Sequence, residues 1–223
     1  TDNGWIQTEN SGYAPRSKRS PYEGGTRTPI MFRWPGVIPA ADRVELCSSI
    51  DIVPTILAAA GVDAPRDFPG LDLLPQLKTG DAIERDTIFG ESFAHDIADI
   101  ENPHESLLYR WVIRGNDKLL LTYDGAPGKM KYPPQRGEPQ LFDLKDDPAE
   151  EVNLAAENPK MVKELSAVLD AWYIPAERQV GKFGAAAPMP ARKPKETTAA
   201  STKLKSRPNI LLLYADDQRN HTL

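Results

Sequence analysis

The chain is poor in cysteine, long apolar runs and positive charge. Cys47 is its one cysteine, which excludes an internal disulfide and any zinc site built from several thiolates. The longest apolar stretches, 50–61 and 210–215, are shorter than the roughly 20 residues that a membrane-spanning helix needs. A formal net charge of −5 argues against nucleic acid as the main partner. We therefore expect neither nucleic acid nor a membrane as a partner.

What remains is ordinary for a globular protein: 223 residues, 40% hydrophobic and 26% charged. The chain begins with Thr1 and shows no signal sequence. It ends a few residues after the pair Asp216-Asp217. Both ends favour the interpretation that this is a piece of a longer product.

Composition and periodicity divide the chain into four predicted segments. Residues 1–104 are predicted to be part of an α/β layer, and residues 105–182 an α+β subdomain. Residues 183–207 are rich in Ala, Pro, Lys and Thr, a composition typical of a linker. Residues 208–223 include a continuous apolar run, typical of a central parallel strand buried on both faces.

Within the first segment, short strands are predicted at 29–34 and 86–91. A helix is predicted over 50–60, capped by Ser49 and ended by Gly61.

Within the second segment, strands at 109–114 and 118–123 flank a Gly-Asn turn and predict an antiparallel hairpin. A third strand is predicted at 140–144. Apolar residues at helical spacing over 159–173 predict an amphipathic helix that covers the sheet.

Two acidic motifs are candidates for a metal site. Adjacent carboxylates after a buried strand, Asp216 and Asp217, repel each other unless a cation compensates them. Asp2 and Asn3 add two more oxygen ligands, and such ligands suit calcium or magnesium rather than zinc. The plainer alternatives stay open: a polar turn or helix cap at the first motif, and an Asn-Gly turn at the second.

A basic, glycine-containing loop follows the second motif. Lys18 would place a positive charge on an anionic ester, and Gly24-Gly25 would permit close approach of the backbone. Glu23 and Arg27 would pair and hold the loop.

Taken jointly, these motifs resemble those of the formylglycine-dependent sulfatases. The resemblance covers about residues 1–173 and 208–219. It rests on the following segments: Asp2-Asn3-Gly4, Lys18, Glu23-Gly24-Gly25-x-Arg27-x-Pro29, Trp34-Pro35-Gly36, 50–56, 141–154 and 208–218.

The resemblance implies an alkaline-phosphatase-like α/β core, a small C-terminal antiparallel sheet with one packing helix, and hydrolysis of sulfate esters of sugars or aryl alcohols. The family's calcium ligands correspond to Asp2, Asn3, Asp216 and Asp217. The family lysine that contacts the sulfate corresponds to Lys18. A sulfated small molecule or glycan is the implied substrate, and a periplasmic or extracellular location is implied.

The chain departs from the family in two ways. The nucleophile motif Cys/Ser-x-Pro-x-Arg is absent, because Cys47 is followed by Ser48-Ser49-Ile50. No catalytic residue is therefore assigned, and we expect the isolated chain to be inert. The acidic motifs also stand in reversed order, which either a junction of two tandem sulfatase units or a circular permutant would explain. The tandem junction is favoured, because permutation alone would not delete the nucleophile segment. His95 is a second candidate for the substrate pocket, although an ordinary surface histidine is the favoured interpretation.

Two other functions stay open at this point. One is a non-catalytic calcium-binding or interaction module derived from the sulfatase fold. The other is a related phosphodiesterase or phosphatase. Asn3 argues against this alternative, because such enzymes have a zinc-ligating histidine at that position.

Overall fold

The computed structural model describes residues 14, 16–94, 99, 101–123 and 137–175. Its strands are β1 Thr87–Phe93, β2 Leu107–Arg114, β3 Asp117–Thr122 and β4 Gln140–Asp143. Its α-helices are α1 Glu23–Thr26, α2 Ile52–Ala59, α3 Leu74–Thr79 and α4 Pro159–Trp172. Short 3₁₀ turns cover Ser49–Asp51 and Pro103–Ser106.

The four strands form one antiparallel sheet in the order β1-β2-β3-β4. The connection between β2 and β3 is the predicted hairpin: Arg114 pairs with Asp117 across Gly115 and Asn116. Gly115 has a φ of 61°, a left-handed conformation that glycine adopts without a steric cost. The predicted third strand is β4, so the sheet prediction is confirmed.

Helix α4 covers one face of the sheet, as its apolar spacing predicts. The core between them contains leucines and a valine that are at most 1% exposed: Val112, Leu119, Leu141, Leu165 and Leu169. Burial of each such side chain contributes about 1.5–3 kcal/mol. Trp172 at the end of the helix stacks on Phe89 of β1, with ring centroids 4.9 Å apart.

The opposite face of the sheet contacts the segment that precedes α1. Side chains alternate between the two faces along a strand, so Lys118 and Phe142 point away from α4. The ring of Tyr22 meets Phe142 edge to face at 6.1 Å, and its hydroxyl donates to Gln140 Oε1 at 2.8 Å. The sheet therefore lies between α4 and the loop predicted to carry the anionic-ester contact.

The predicted helix over 50–60 is confirmed with small shifts. A 3₁₀ turn precedes α2, and Ser48 rather than Ser49 caps it in a reciprocal pair of hydrogen bonds with Asp51. Pro54 falls in the first turn of α2, where proline is tolerated. Gly61 follows the helix with a φ of 71°.

The predicted strand at 29–34 is wrong. Exposure alternates along this segment, and Met31 is 63% exposed, but the segment forms no ladder with any strand of the described ranges. The run of strand-forming residues before Pro35-Gly36 predicted a strand, whereas a strand also needs a partner for its backbone groups. The strand predicted at 86–91 exists as β1. It pairs with β2, which lies in the second predicted segment, after residue 104. The division of the chain into four segments stays a prediction.

None of the described helices has the length and apolar character needed to cross a membrane.

Candidate functional site

Lys18 lies in a tight turn formed by residues 16–20. Ser17 is fully buried, while Lys18 itself is half-buried. Arg16 and Arg19 on either side have φ values of 61° and 70°. A left-handed conformation costs a residue with a side chain about 1–2 kcal/mol. Interactions outside the turn must therefore hold it in this shape.

Two glycines of α1 pack directly against the backbone of the turn. A Cβ atom on Gly24 would lie 2.4 Å from the carbonyl oxygen of Arg16. A Cβ on Gly25 would lie 2.4 Å from that of Ser17 and 2.6 Å from that of Ser20. Real Cβ atoms do not approach so closely, so this packing requires glycine at both positions. The close backbone approach predicted for Gly24-Gly25 is thus seen against the turn that carries Lys18.

A buried lysine of β3 anchors the segment directly after the turn. Lys118 is 0% exposed, and its Nζ lies 2.8 Å from Glu150 Oε1 and 3.2 Å from Glu23 Oε1. It also donates to the carbonyl oxygen of Pro21 at 2.8 Å. The ammonium group thus makes hydrogen bonds to Pro21 and Glu23 and an ion pair with Glu150.

Glu150 contacts both sides of the same segment. Its Oε2 accepts a hydrogen bond from the backbone N–H of Glu23 at 2.5 Å. Its carbonyl oxygen accepts one from the guanidinium of Arg16, which also donates to Ala149. Burial raises the pKa of Glu150, and the Lys118 ammonium opposes this rise only in part.

Sequence reasoning missed Lys118 and Glu150 and expected Arg27 to hold the loop. Arg27 does approach Glu23, but at 3.9 Å and with 72% of its side chain exposed. Such an exposed pair contributes about 0–1 kcal/mol. The missed residues lie far from the loop in sequence, and only the continuous apolar surroundings of Lys118 in β3 hinted that it is buried.

A second charged pair organises the segment before the sheet. Asp51 is 0% exposed, and its two oxygens lie 2.5 and 2.8 Å from the guanidinium nitrogens of Arg85. The carboxylate also accepts from the backbone N–H groups of Ser48 and Leu71, each at 2.8 Å. Burial alone would raise the pKa of Asp51, but the Arg85 pair and these two donors lower it. Asp51 thus links the start of α2 to Arg85, which lies just before β1.

Cys47 lies beside this pair. Its thiol is half-buried, and burial followed by the nearby Asp51 carboxylate raises its pKa. A raised pKa disfavours the nucleophilic thiolate. This agrees with the sequence, which assigns Cys47 no catalytic role.

Of the predicted site residues, Lys18 alone falls in the described part of the chain. Asp2, Asn3, His95, Asp216 and Asp217 lie outside the described residues. Within the described ranges, no group of three or more His, Cys, Asp or Glu side chains is arranged to hold a metal ion. The calcium site therefore stays a prediction.

The family described as N-sulphoglucosamine sulphohydrolase, C-terminal, matches residues 13–172, which include the turn, α4 and all four strands. The chain belongs to the sulfatase family.

Individual relatives agree with this assignment. The chain is 31% identical over 160 residues to an N-acetylgalactosamine-6-O-sulfatase of Bacteroides thetaiotaomicron, covering 69% of this chain and 28% of the relative. It is 33% identical over 147 residues to arylsulfatase A of Bos taurus, covering 65% and 29%.

A solved structure of a protein in complex with its substrate D-glucosamine-2-N,6-O-disulfate shares the fold. It has a TM-score of 0.54 and 27% identity, and the match covers 76% of this chain and 32% of that one. The chain thus spans less than a third of the length of these relatives.

Proposed function

We propose that this chain supplies the C-terminal, substrate-binding part of a sulfuric ester hydrolase. The observation that carries the proposal is the family match over residues 13–172, which contains Lys18 and the glycines and charges that shape its turn. The proposed substrate is a sulfate ester of a sugar. Two similar proteins favour an amino sugar: the N-acetylgalactosamine-6-O-sulfatase and the protein solved with D-glucosamine-2-N,6-O-disulfate.

In this proposal Lys18 binds the sulfate group. An ammonium group offers three hydrogen-bond donors and a full positive charge, which suits the oxygens of a sulfate ester. The rigid turn would hold this charge in place before the substrate arrives. A preorganised positive group stabilises negative charge that develops on the sulfate oxygens, because it does not reorganise during the reaction.

The proposal also includes calcium ligands at Asp2, Asn3, Asp216 and Asp217. In a tandem arrangement the first two serve one unit and the last two the next, whereas in a circular permutant all four would hold one ion. Three carboxylates and one amide oxygen are hard ligands of the kind calcium prefers. Bound there, the ion would supply positive charge that orients and polarises the ester. Isothermal calorimetry tests this site: calcium binding that disappears in Asp216→Ala supports it, and binding unchanged by that substitution contradicts it.

The proposal assigns no nucleophile to this chain, and the chain spans only 24–32% of the curated relatives that it matches. We therefore expect the 223-residue chain to release no sulfate from D-glucosamine-2-N,6-O-disulfate or from an aryl sulfate. A longer protein that includes this sequence and the family nucleophile motif is expected to do so. Sulfate release by the isolated chain, measured by ion chromatography, would overturn the assignment. Hydrolysis of phosphate esters alone by the longer protein would favour a phosphatase instead.

A further inference from the structure

We propose that Lys118 and Glu150 are positioning residues that fix the turn of residues 16–20, and with it Lys18, on the sheet. Neither residue belongs to the loop that they hold. The anchoring of the turn follows from the contacts described above. Its consequence for substrate binding rests on the proposed role of Lys18.

One residue, Glu150, holds both ends of the turn. The carbonyl oxygen of Glu150 accepts from Arg16, where the turn begins. The carboxylate of the same residue accepts from the backbone N–H of Glu23, just past the end of the turn. Glu150 itself has a left-handed φ of 58°. Its backbone and side chain therefore act on the turn together.

The anchor, Lys118, is rigid. Lys118 lies on β3, which is paired with β2 on one side and β4 on the other. From this central position its ammonium group reaches the carbonyl of Pro21 and the carboxylates of Glu23 and Glu150. The turn is thus attached to the middle of the sheet rather than to a surface loop.

The anchor consists of buried charged groups rather than apolar ones. A buried ion pair contributes little net stability compared with apolar residues of similar volume. Here two carboxylates share one buried ammonium, and Glu150 is only 1% exposed. The hydrogen bonds of this cluster run from Lys118 to Pro21 and Glu23, and from the Glu23 N–H to Glu150. They have strict directions, so they specify one geometry.

Glu150→Gln is the sharpest test of this arrangement. Glu150 Oε1 forms an ion pair with Lys118 Nζ at 2.8 Å, and Oε2 accepts a hydrogen bond from the Glu23 N–H at 2.5 Å. An amide has a single acceptor oxygen, so the glutamine can serve one donor and must turn its NH₂ group toward the other. The shape is preserved, but one end of the anchor is lost.

The measurement is the amide NMR spectrum of the 223-residue chain. In Glu150→Gln we expect large shifts and broadening for the amides of Ser17, Lys18 and Arg19, with core reporters such as Val112 and Leu165 unchanged. Glu151→Gln is the matched control, because Glu151 is the next residue and is exposed. Turn amides that stay at their wild-type positions in Glu150→Gln would overturn the inference.

A second variant keeps the test decisive if Glu150→Gln does not fold. Glu23→Gln leaves the backbone N–H of residue 23 in place, and the side chain that it changes is 11% exposed. It is expected to shift the same turn amides by a smaller amount. Unshifted turn amides in a folded Glu23→Gln variant would likewise overturn the inference.

Turnover by a longer, active protein separates this inference from the proposed function. Misplacement of a substrate-binding group by about 1 Å lowers kcat/KM on the order of 10²-fold. Glu150→Gln is expected to approach this loss, and to add little to the loss caused by Lys18→Ala, because both act through one group. Shifted turn amides with unchanged turnover would support the positioning role and contradict the sulfate contact of Lys18.

Discussion

Replacing Arg110 with methionine is expected to destabilise the packing of α4 on the sheet. Arg110 lies on β2, is 0% exposed, and faces the C-terminal end of the helix. Its guanidinium donates to the carbonyl oxygens of Leu169 and Tyr173, the latter at 2.6 Å, and to the hydroxyl of Tyr123 at 3.1 Å. It therefore provides a donor to the Tyr173 carbonyl just past the helix end, and a second donor to the Leu169 carbonyl, which also accepts from the Tyr173 N–H at 3.2 Å.

The magnitude follows from these contacts. Hydrogen bonds that involve a charged group contribute about 1.5–3 kcal/mol each. Arg110→Met would leave the carbonyl of Tyr173 without this donor and remove the cation–π contact, in which the guanidinium carbon lies 4.5 Å from the Tyr173 ring centroid. Methionine restores part of the apolar burial, and it removes a buried Nε that has no partner among the described residues. We expect a net loss of about 3 kcal/mol.

Urea denaturation followed by circular dichroism measures this loss, and thermal melting should show a Tm lower by roughly 6–12 °C. Arg114→Met is the matched control. Arg114 lies four residues along the same strand and on the same face, but its 3.7 Å pair with Glu164 is well exposed and should contribute only about 0–1 kcal/mol. Equal effects of the two substitutions would refute the reasoning.

Two other substitutions test the described core. Asp51 has a lowered pKa, so its contribution to stability is present above the unfolded pKa of about 3.9 and is lost as the pH falls through the folded value. Asp51→Asn should therefore reduce the free energy of unfolding by about 3 kcal/mol at neutral pH and flatten its decline below about pH 4; an unchanged acid profile would contradict this. Gly90→Ala would place a Cβ 2.1 Å from the Trp111 ring and should cost about 1–3 kcal/mol, with a change in tryptophan fluorescence; an unchanged spectrum and melt would show that the ring can move aside.

The elements that sequence reasoning predicted well depend on neighbours close in the chain. The β2–β3 hairpin follows from two β-rich runs around Gly115, and α4 follows from apolar residues repeated at helical spacing. The strand predicted at 29–34 is wrong because a short run of strand-forming residues contains no information about a partner strand. β1 was predicted as a strand, but its place beside β2 depends on pairing across the intervening loop.

The candidate site shows the same limit. The glycines below the turn were recognisable because they follow Lys18 at short range. The charges that hold the turn come from β3 and from residue 150, about a hundred residues away. A lysine and a glutamate at such separation give no local signal of pairing, because their contact is created by the sheet.

The central claim is that Lys18 binds the sulfate ester, and one measurement tests it most directly. In a longer, active protein that includes this sequence and the family nucleophile motif, kcat and KM for D-glucosamine-2-N,6-O-disulfate are compared between wild type, Lys18→Ala and the exposed control Lys145→Ala. The account predicts that Lys18→Ala lowers kcat/KM on the order of 10²–10³-fold, whereas Lys145→Ala leaves it unchanged. Full turnover by Lys18→Ala, in a protein that melts like wild type, would contradict the account.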